Sequence, residues 1–265
     1  RIETVRRLMH RIYDWPIWVS IVTILLLSLL ATELGYRYGR SRPVSESARD
    51  ILSTIRTGTL GLVALLLGFS FAITNSRFND RSRLVMDEAN AIGTCYLRAG
   101  LLEEPATTEI RAALRRYLDL RIESYERSLD GEAYLGVTSG MQAALDDLWS
   151  SVDQAVRAQR DRAHTAAIVP AANEVIDLAA TRLWMRRFHM PPPVVVLLAV
   201  CIVICGAMIG HALGESGERH LGLSLGINLL ILLVVLVVLD FDRPRRGFIR
   251  VDQTPLVELR ETMHD

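Results

Sequence analysis

Asp87, Glu88 and Asn90 fall on one helical turn about a third of the way along a 265-residue chain, a cluster of side chains able to hold an ion or a partner. A solvated or salt-bridged helix face is the commoner use of such a cluster and stands as the competing reading. The histidines, His10, His164, His189, His211, His220 and His264, are scattered, and none has a partner at metal-ligand spacing. Cys201 and Cys205 share a helical face inside an apolar run, and Cys95 stands alone. Small-residue packing is the ordinary role of such cysteines, set against a disulfide or metal role. A nucleophile elbow, a phosphate loop, zinc-spaced cysteines and His-Glu-x-x-His do not occur. No residue set of a known enzyme chemistry emerges, so the expectation is a protein that is not an enzyme and has no certain cofactor.

The elements that carry these residues follow from how charge is distributed. Half of the residues are apolar, and 30 basic side chains balance 30 acidic ones. The average hides a segregation, because four windows of about twenty residues are nearly free of charge while the rest is densely charged. That pattern is an integral membrane protein. Every basic residue other than histidine is Arg. The chain begins at Arg1 rather than Met, which implies sequence ahead of it.

Arg1, Arg6, Arg7 and Arg11 precede the apolar run Pro16–Leu34, which is too long for the core of a secretory signal and has no small-x-small cleavage pattern. Trp15 and Trp18 flank one end and Tyr36 and Tyr38 the other, at headgroup level. Residues 39–57 read as a polar connection. A second span covers Gly58–Thr74, a third Pro193–Leu213 after Pro191 and Pro192, and a fourth Leu221–Leu239, with residues 214–220 as a tight hairpin between the last two. Four spans place both termini on the side of the large segment 75–190. The tails carry Arg1, Arg6, Arg7, Arg11, Arg243, Arg245, Arg246 and Arg250 against Arg37, Arg40, Arg42, Arg49, Arg56 and Arg219 in the short loops. That excess makes tails and large segment cytoplasmic.

The second span does not stop where its apolar run ends. It turns polar at Asn75-Ser76-Arg77-Phe78-Asn79-Asp80-Arg81 with no Pro, so one helix leaves the membrane and continues through Asn90. Ile110, Leu114, Tyr117, Leu118, Tyr125 and Leu129 form an apolar stripe; Met141, Leu145, Leu148, Val152 and Val156 form a second, begun by a capping box at Ser139. Val175, Ile176, Ala179 and Leu183 form a third, after a break at Pro170. The expected fold is all-α, a four-transmembrane-helix membrane protein with a cytoplasmic helical bundle inserted between the second and third spans. Its parts are 1–74 (tail and first two spans), 75–190 (cytoplasmic helical domain), 191–240 (last two spans) and 241–265 (cytoplasmic tail).

Within the spans, Asn75 and Asn228 are the polar candidates, with hydrogen bonding between helices preferred over ion contact. Ala64, Gly68 and Ala72 make a small-xxx-small packing face. The neighbouring stripe Gly61, Leu65 and Phe69 is then left to face something else.

Leu67-Gly68-Phe69 followed by Arg77-Phe78 resembles the second helix of bestrophins, pentameric ion channels. Residues 87–93, Asp-Glu-Ala-Asn-Ala-Ile-Gly, are similar to the signature of bestrophin-like bacterial membrane proteins, and Asp240-Phe241-Asp242-Arg243-Pro244, Gly247 and Pro255-Leu256 to the post-membrane segment. The resemblance implies a homo-oligomer, a pentamer, in the bacterial inner membrane. It implies a pore neck at Gly61, Leu65 and Phe69, with Gly61 departing from the bulky family residue, and a membrane exit at Asn75, Arg77 and Phe78. It also implies calcium as a candidate ligand of Asp240, Asp242 and Asp252, where Arg245 and Arg246 replace the family's aromatic and salt bridges compete. The leading expectation is an ion channel that passes ions through an apolar neck and binds no nucleic acid. The alternative is a non-conducting membrane scaffold or sensor that binds a partner through its cytoplasmic helices.

Overall fold

A computed structural model describes residues 17–41, 45–127, 131–158, 162–186, 188, 190–217, 219–242 and 248–264. Expectations at Arg1, Arg6, Arg7, His10, Arg11, Trp15, Pro16, Arg42, Leu129, His189, Arg243, Pro244, Arg245, Arg246 and Gly247 fall outside the described residues. Among the described residues lie eight α-helices and no strand: α1 (Ile17–Ser41), α2 (Glu46–Ala99), α3 (Ala106–Glu126), α4 (Gly131–Ala158), α5 (Arg162–Met185), α6 (Pro192–Ser216), α7 (Leu221–Asp242) and α8 (Thr254–His264). Four of them, α1, α2, α6 and α7, are long and apolar enough to cross a membrane.

Local chemistry accounts for several helix limits. Pro192 occupies the first turn of α6, where a missing N–H costs nothing. Gly217 ends that helix in the left-handed conformation at φ 75°, which glycine adopts without a Cβ clash. α2 begins at Glu46, well inside the stretch expected as a polar connection. Residues 46–57 contain neither Pro nor Gly, and Ser53, Thr54 and Thr57 do not break the turn, because Thr54 and Thr57 bond back to Asp50 and Ser53 carbonyls. α4 likewise starts at Gly131, so Ser139 is an interior residue whose hydroxyl donates to the Gly136 carbonyl rather than a cap. Pro170 lies inside α5 and does not break it. Ile168, Ala171, Ala172 and Val175 around it are all buried, and that packing offsets the lost hydrogen bond.

The chain forms two compact units, divided along α2 between Arg77 and Phe78. The first contains α1, the start of α2, α6 and α7. Its core gathers Ile24, Val63, Leu67, Leu198, Ile202, Cys205, Leu232, Val235 and Val238. Here α1 and α6 touch backbone to backbone. Gly206, Gly210 and Gly214 recur every fourth residue on α6, and a Cβ at Gly210 would lie 1.9 Å from the Thr32 carbonyl oxygen, one at Gly214 2.3 Å from that of Tyr36. Gly35 and Gly39 of α1 return the contact, with a Cβ at Gly35 falling 2.1 Å from the Ala207 oxygen. In lipid, where apolar side chains gain little by leaving their surroundings, such close approach is a main source of helix association. Asn228 joins α7 to this pair. It accepts from the Ser28 hydroxyl at 2.5 Å and donates to Ser224 O at 2.9 Å and Thr32 Oγ1 at 3.4 Å, the helix-to-helix bonding expected of it. Cys201 and Cys205 are free thiols packed in the same core.

The second unit contains α2 from Phe78 onward, α3, α4, α5 and α8. The apolar stripes of α3 and α4 interlock, burying Ile110, Leu114, Tyr117, Leu118, Met141, Leu145, Leu148 and Val152 with Val85, Ile92 and Cys95 of α2 and Leu256 and Met263 at the C-terminal end. Val156 and Leu183 depart from their stripes and are exposed.

The contact of α1 with α6 yields the first test. Gly210→Ala is expected to cost about 1–3 kcal/mol or more, since the new methyl meets backbone that cannot yield as a side chain would. Gly226→Ala, on α7 where a Cβ meets nothing, is expected to be neutral or slightly stabilising. Thermal unfolding of the two variants in detergent measures the difference.

Candidate functional site

The apolar part of α2 has two contrasting sides. Val63, Leu67, Ser70 and Thr74 are buried within the first unit. The two hydroxyls among them are satisfied inside the helix, Ser70 donating to Leu66 O and Thr74 to Ser70 O at 2.8 and 2.9 Å. At roughly 100° per residue, the opposite side carries Gly61, Leu65 and Phe69 and, beside them, Ala64, Gly68 and Ala72. Leu65 is 53% and Phe69 59% exposed. Ala64 and Ala72 are exposed as well, and a Cβ placed at Gly61 or Gly68 meets no atom within 4 Å. Among the described residues the small-residue face of α2 thus packs against no other helix, and the close intrachain packing is done by the α6 glycines. That Gly-xxx-Gly-xxx-Gly repeat, Gly206, Gly210 and Gly214, is a spacing legible in the sequence.

The residues expected at the membrane exit occupy the division between units. Asn75 and Arg77 are half-buried at the end of the first, and Phe78 packs on the core of the second.

The polar cluster on α2 is split by its helix. Asp87 and Asn90 stay exposed, whereas Glu88 has no solvent-accessible side chain. Its carboxylate accepts from the Tyr117 hydroxyl at 2.5 Å and Arg121 Nε at 3.1 Å, both on α3, and from Arg182 Nη1 on α5. Arg182 Nη2 also donates to Gln253 Oε1 at 3.2 Å, ahead of α8. Burial alone would push the Glu88 carboxyl up, but the Arg121 and Arg182 charges and the Tyr117 hydroxyl hold it below its ordinary value. Burial and the like charge of Arg121 bring the Arg182 guanidinium down to about 10, which leaves it charged at neutral pH. Burial and the adjacent carboxylate raise Tyr117, so its proton stays in the hydrogen bond. Arg121 and Arg182 are ion-pair partners of Glu88 that sequence reasoning did not assign. The available signal was a charged residue on the buried stripe of α3, four residues after Tyr117 and four before Tyr125.

The three candidate calcium ligands are each engaged otherwise. Asp240 accepts from the backbone N–H of Phe248 and Ile249 at 2.8 Å, and Asp242 accepts from Met190 N–H at 2.9 and 3.0 Å. Asp252 belongs to the second unit and caps Thr254 through its N–H and hydroxyl, which hold its carboxyl below the ordinary value. Among the described residues no group of three or more His, Cys, Asp or Glu is placed to hold a metal. Among the described residues these three aspartates therefore do not make a calcium cage, which takes six to eight oxygens.

Four helices of membrane length, one of which, α2, continues into a second, charge-braced unit, define an integral membrane protein of a particular class. Residues 22–256 match the Bestrophin-like domain, and the chain belongs to that family. Among solved structures it is similar to a mutated form of a bacterial bestrophin homologue from Klebsiella pneumoniae, with a TM-score of 0.65 at 17% identity over 92% of this chain and 96% of that one. A second structure of the Klebsiella homologue, phased on zinc, gives a TM-score of 0.63 at 15% identity over 92% and 94%. At such identities the likeness speaks for the fold. Comparison with curated proteins gives no match.

Two outcomes follow from the buried carboxylate and the aspartates. Glu88→Gln leaves two buried guanidinium groups short of their counter-charge and is expected to cost about 3–5 kcal/mol, whereas Asp87→Asn should stay within roughly 0.5 kcal/mol. Because the folded Glu88 titrates below its ordinary value, its contribution is complete above the unfolded value and is lost as pH falls through the depressed one. Denaturation curves at successive acid pH should therefore fall less steeply in Glu88→Gln than in wild type. For the aspartates, Asp242→Ala strands the buried Met190 N–H and should cost about 1–3 kcal/mol, equally in calcium and in EDTA. A cost present only in calcium would restore the metal reading.

Proposed function

We propose that this bestrophin-like membrane protein is a homo-oligomeric ion channel, a pentamer in the bacterial inner membrane, that conducts ions passively through an apolar neck on its symmetry axis. The observation that carries the reading is the unpartnered side of α2. Gly61, Leu65 and Phe69 form a continuous apolar stripe opposite the side that packs within the chain. Family membership supports the same assignment.

In this reading Ala64, Gly68 and Ala72 let the α2 helices of adjacent subunits approach closely, and the neighbouring stripe turns to the axis. Leu65 and Phe69 then form rings that block ions by dewetting when narrow. Gly61 leaves one end of the neck wider. The second unit lies on the cytoplasmic side with both termini, and Asn75, Arg77 and Phe78 mark where α2 passes out of the membrane. The subunit contact is heterologous, so it must close into a ring to end association. The excess of Arg in the tails supports the orientation.

Reconstitution into liposomes with ion-flux measurement tests the reading. Wild type is expected to pass ions, and Phe69→Ala to raise the flux by removing a bulky ring. If neither passes ions, or if the purified protein is a monomer or dimer in mild detergent, the scaffold reading takes its place.

A further inference from the structure

The second unit holds a feature that the channel reading does not use. A cavity of about 60 Å³ is lined by Arg81, Arg121, Arg182 and Arg186 together with Tyr125 and Gln253, and among the described residues no acidic side chain lines it. From these residues we propose that the cavity is a binding site for a small oxyanion, inorganic phosphate or the phosphate of a simple monoester.

The charge balance is the first argument. Arg121 and Arg182 share a single carboxylate, that of Glu88, which lies behind them and does not line the cavity. Two guanidinium groups on one carboxylate carry a net positive charge, held where solvent screening is weak, since their side chains are only 8% and 11% exposed. An anion in the cavity would relieve this repulsion.

The donor geometry is the second argument. Arg is the side chain whose planar fork matches phosphate oxygens, and four such forks reach one cavity. They are preorganised. Glu88 fixes Arg121 and Arg182, Arg81 donates to the Phe188 carbonyl at 2.6 Å, and Arg186 lies over the Tyr134 ring at 3.8 Å from its centroid. Anchored guanidinium groups lose little further freedom on binding. Size is the third. The volume exceeds several times the roughly 10–15 Å³ that one water needs, which suits a compact oxyanion.

The test uses the full chain in detergent and is independent of ion conduction. Inorganic phosphate and glycerol phosphate are titrated separately by calorimetry and by thermal shift, with sodium chloride holding ionic strength constant. Saturable binding of either supports the site. Arg186→Gln and Arg81→Gln are each expected to weaken it at least about tenfold, the loss of a hydrogen bond to a charged group. Arg116→Gln, which removes a surface arginine beside Asp147, should leave it unchanged. Thermal midpoints without ligand establish that each variant is folded. Absence of saturable binding to wild type, an equal effect of chloride, wild-type affinity in a folded Arg186→Gln or Arg81→Gln, or an equal loss in Arg116→Gln would each overturn the proposal.

Discussion

One buried carboxylate sets the arrangement of the second unit. Glu88 lies on the charged half of α2 yet has no contact with solvent, so its charge must be balanced from within. Tyr117 and Arg121 answer it from α3, and Arg182 from α5 with Gln253 behind it. Each partner lies on an apolar face, and α2, α3 and α5 can bury those faces together only at the rotation that brings the donors to Glu88. A buried ion network of this type repays its desolvation poorly and contributes more to register than to net stability. The apolar contacts of Val85, Ile92, Ile110, Leu114 and Leu118 supply the driving force. The network selects which of several similar apolar packings is adopted.

The first unit packs its membrane-length helices chiefly without charge, apart from the Arg56–Glu215 pair between α2 and α6 and the buried Asp240 and Asp242 at the end of α7. Its helices face surroundings as apolar as their own side chains, so association depends on closeness and on a few polar links. The α6 glycines and Gly35 and Gly39 of α1 provide the closeness, and Ser28, Thr32 and Asn228 provide the links. On α2 the buried Ser70 and Thr74 bond to their own helix, which lets small polar residues fill the contact with no orphaned hydroxyl.

Much of this architecture was legible, for reasons that differ by residue. The apolar runs gave the four membrane helices, because length and absence of charge are properties of a contiguous stretch. The absence of Pro after Thr74 gave the continuation of α2, and three- and four-residue steps gave the buried faces of α3 and α4. What could not be read depends on distance along the chain. Arg121 and Arg182 lie 33 and 94 residues from Glu88, and although Arg121 stands out as a charge on the buried stripe of α3, nothing local pairs either arginine with Glu88. The start of α2 was missed because Ser and Arg lower hydropathy without opposing helix formation. Pro170 misled for the opposite reason, since it is a strong local breaker overruled by the packing of Ile168, Ala171 and Ala172.

The asymmetry of α2 bears on why the proposed channel would need more than one chain. Small residues at Ala64, Gly68 and Ala72 gain nothing from facing lipid, because a flat face offers fewer dispersion contacts than leucine would. They gain from a neighbouring helix. If each subunit sets that face against its neighbour, the adjoining stripe rotates toward the centre, since the two faces lie side by side on one helix. Close packing and a narrow apolar neck are then two results of one arrangement, and a bulky substitution at Gly68 would widen the ring as it weakened it. The four-residue offset between Leu65 and Phe69 stacks their rings slightly more than one helical turn apart, about 6 Å. A permeating ion would therefore have to shed or carry its water through consecutive apolar constrictions rather than past a single one.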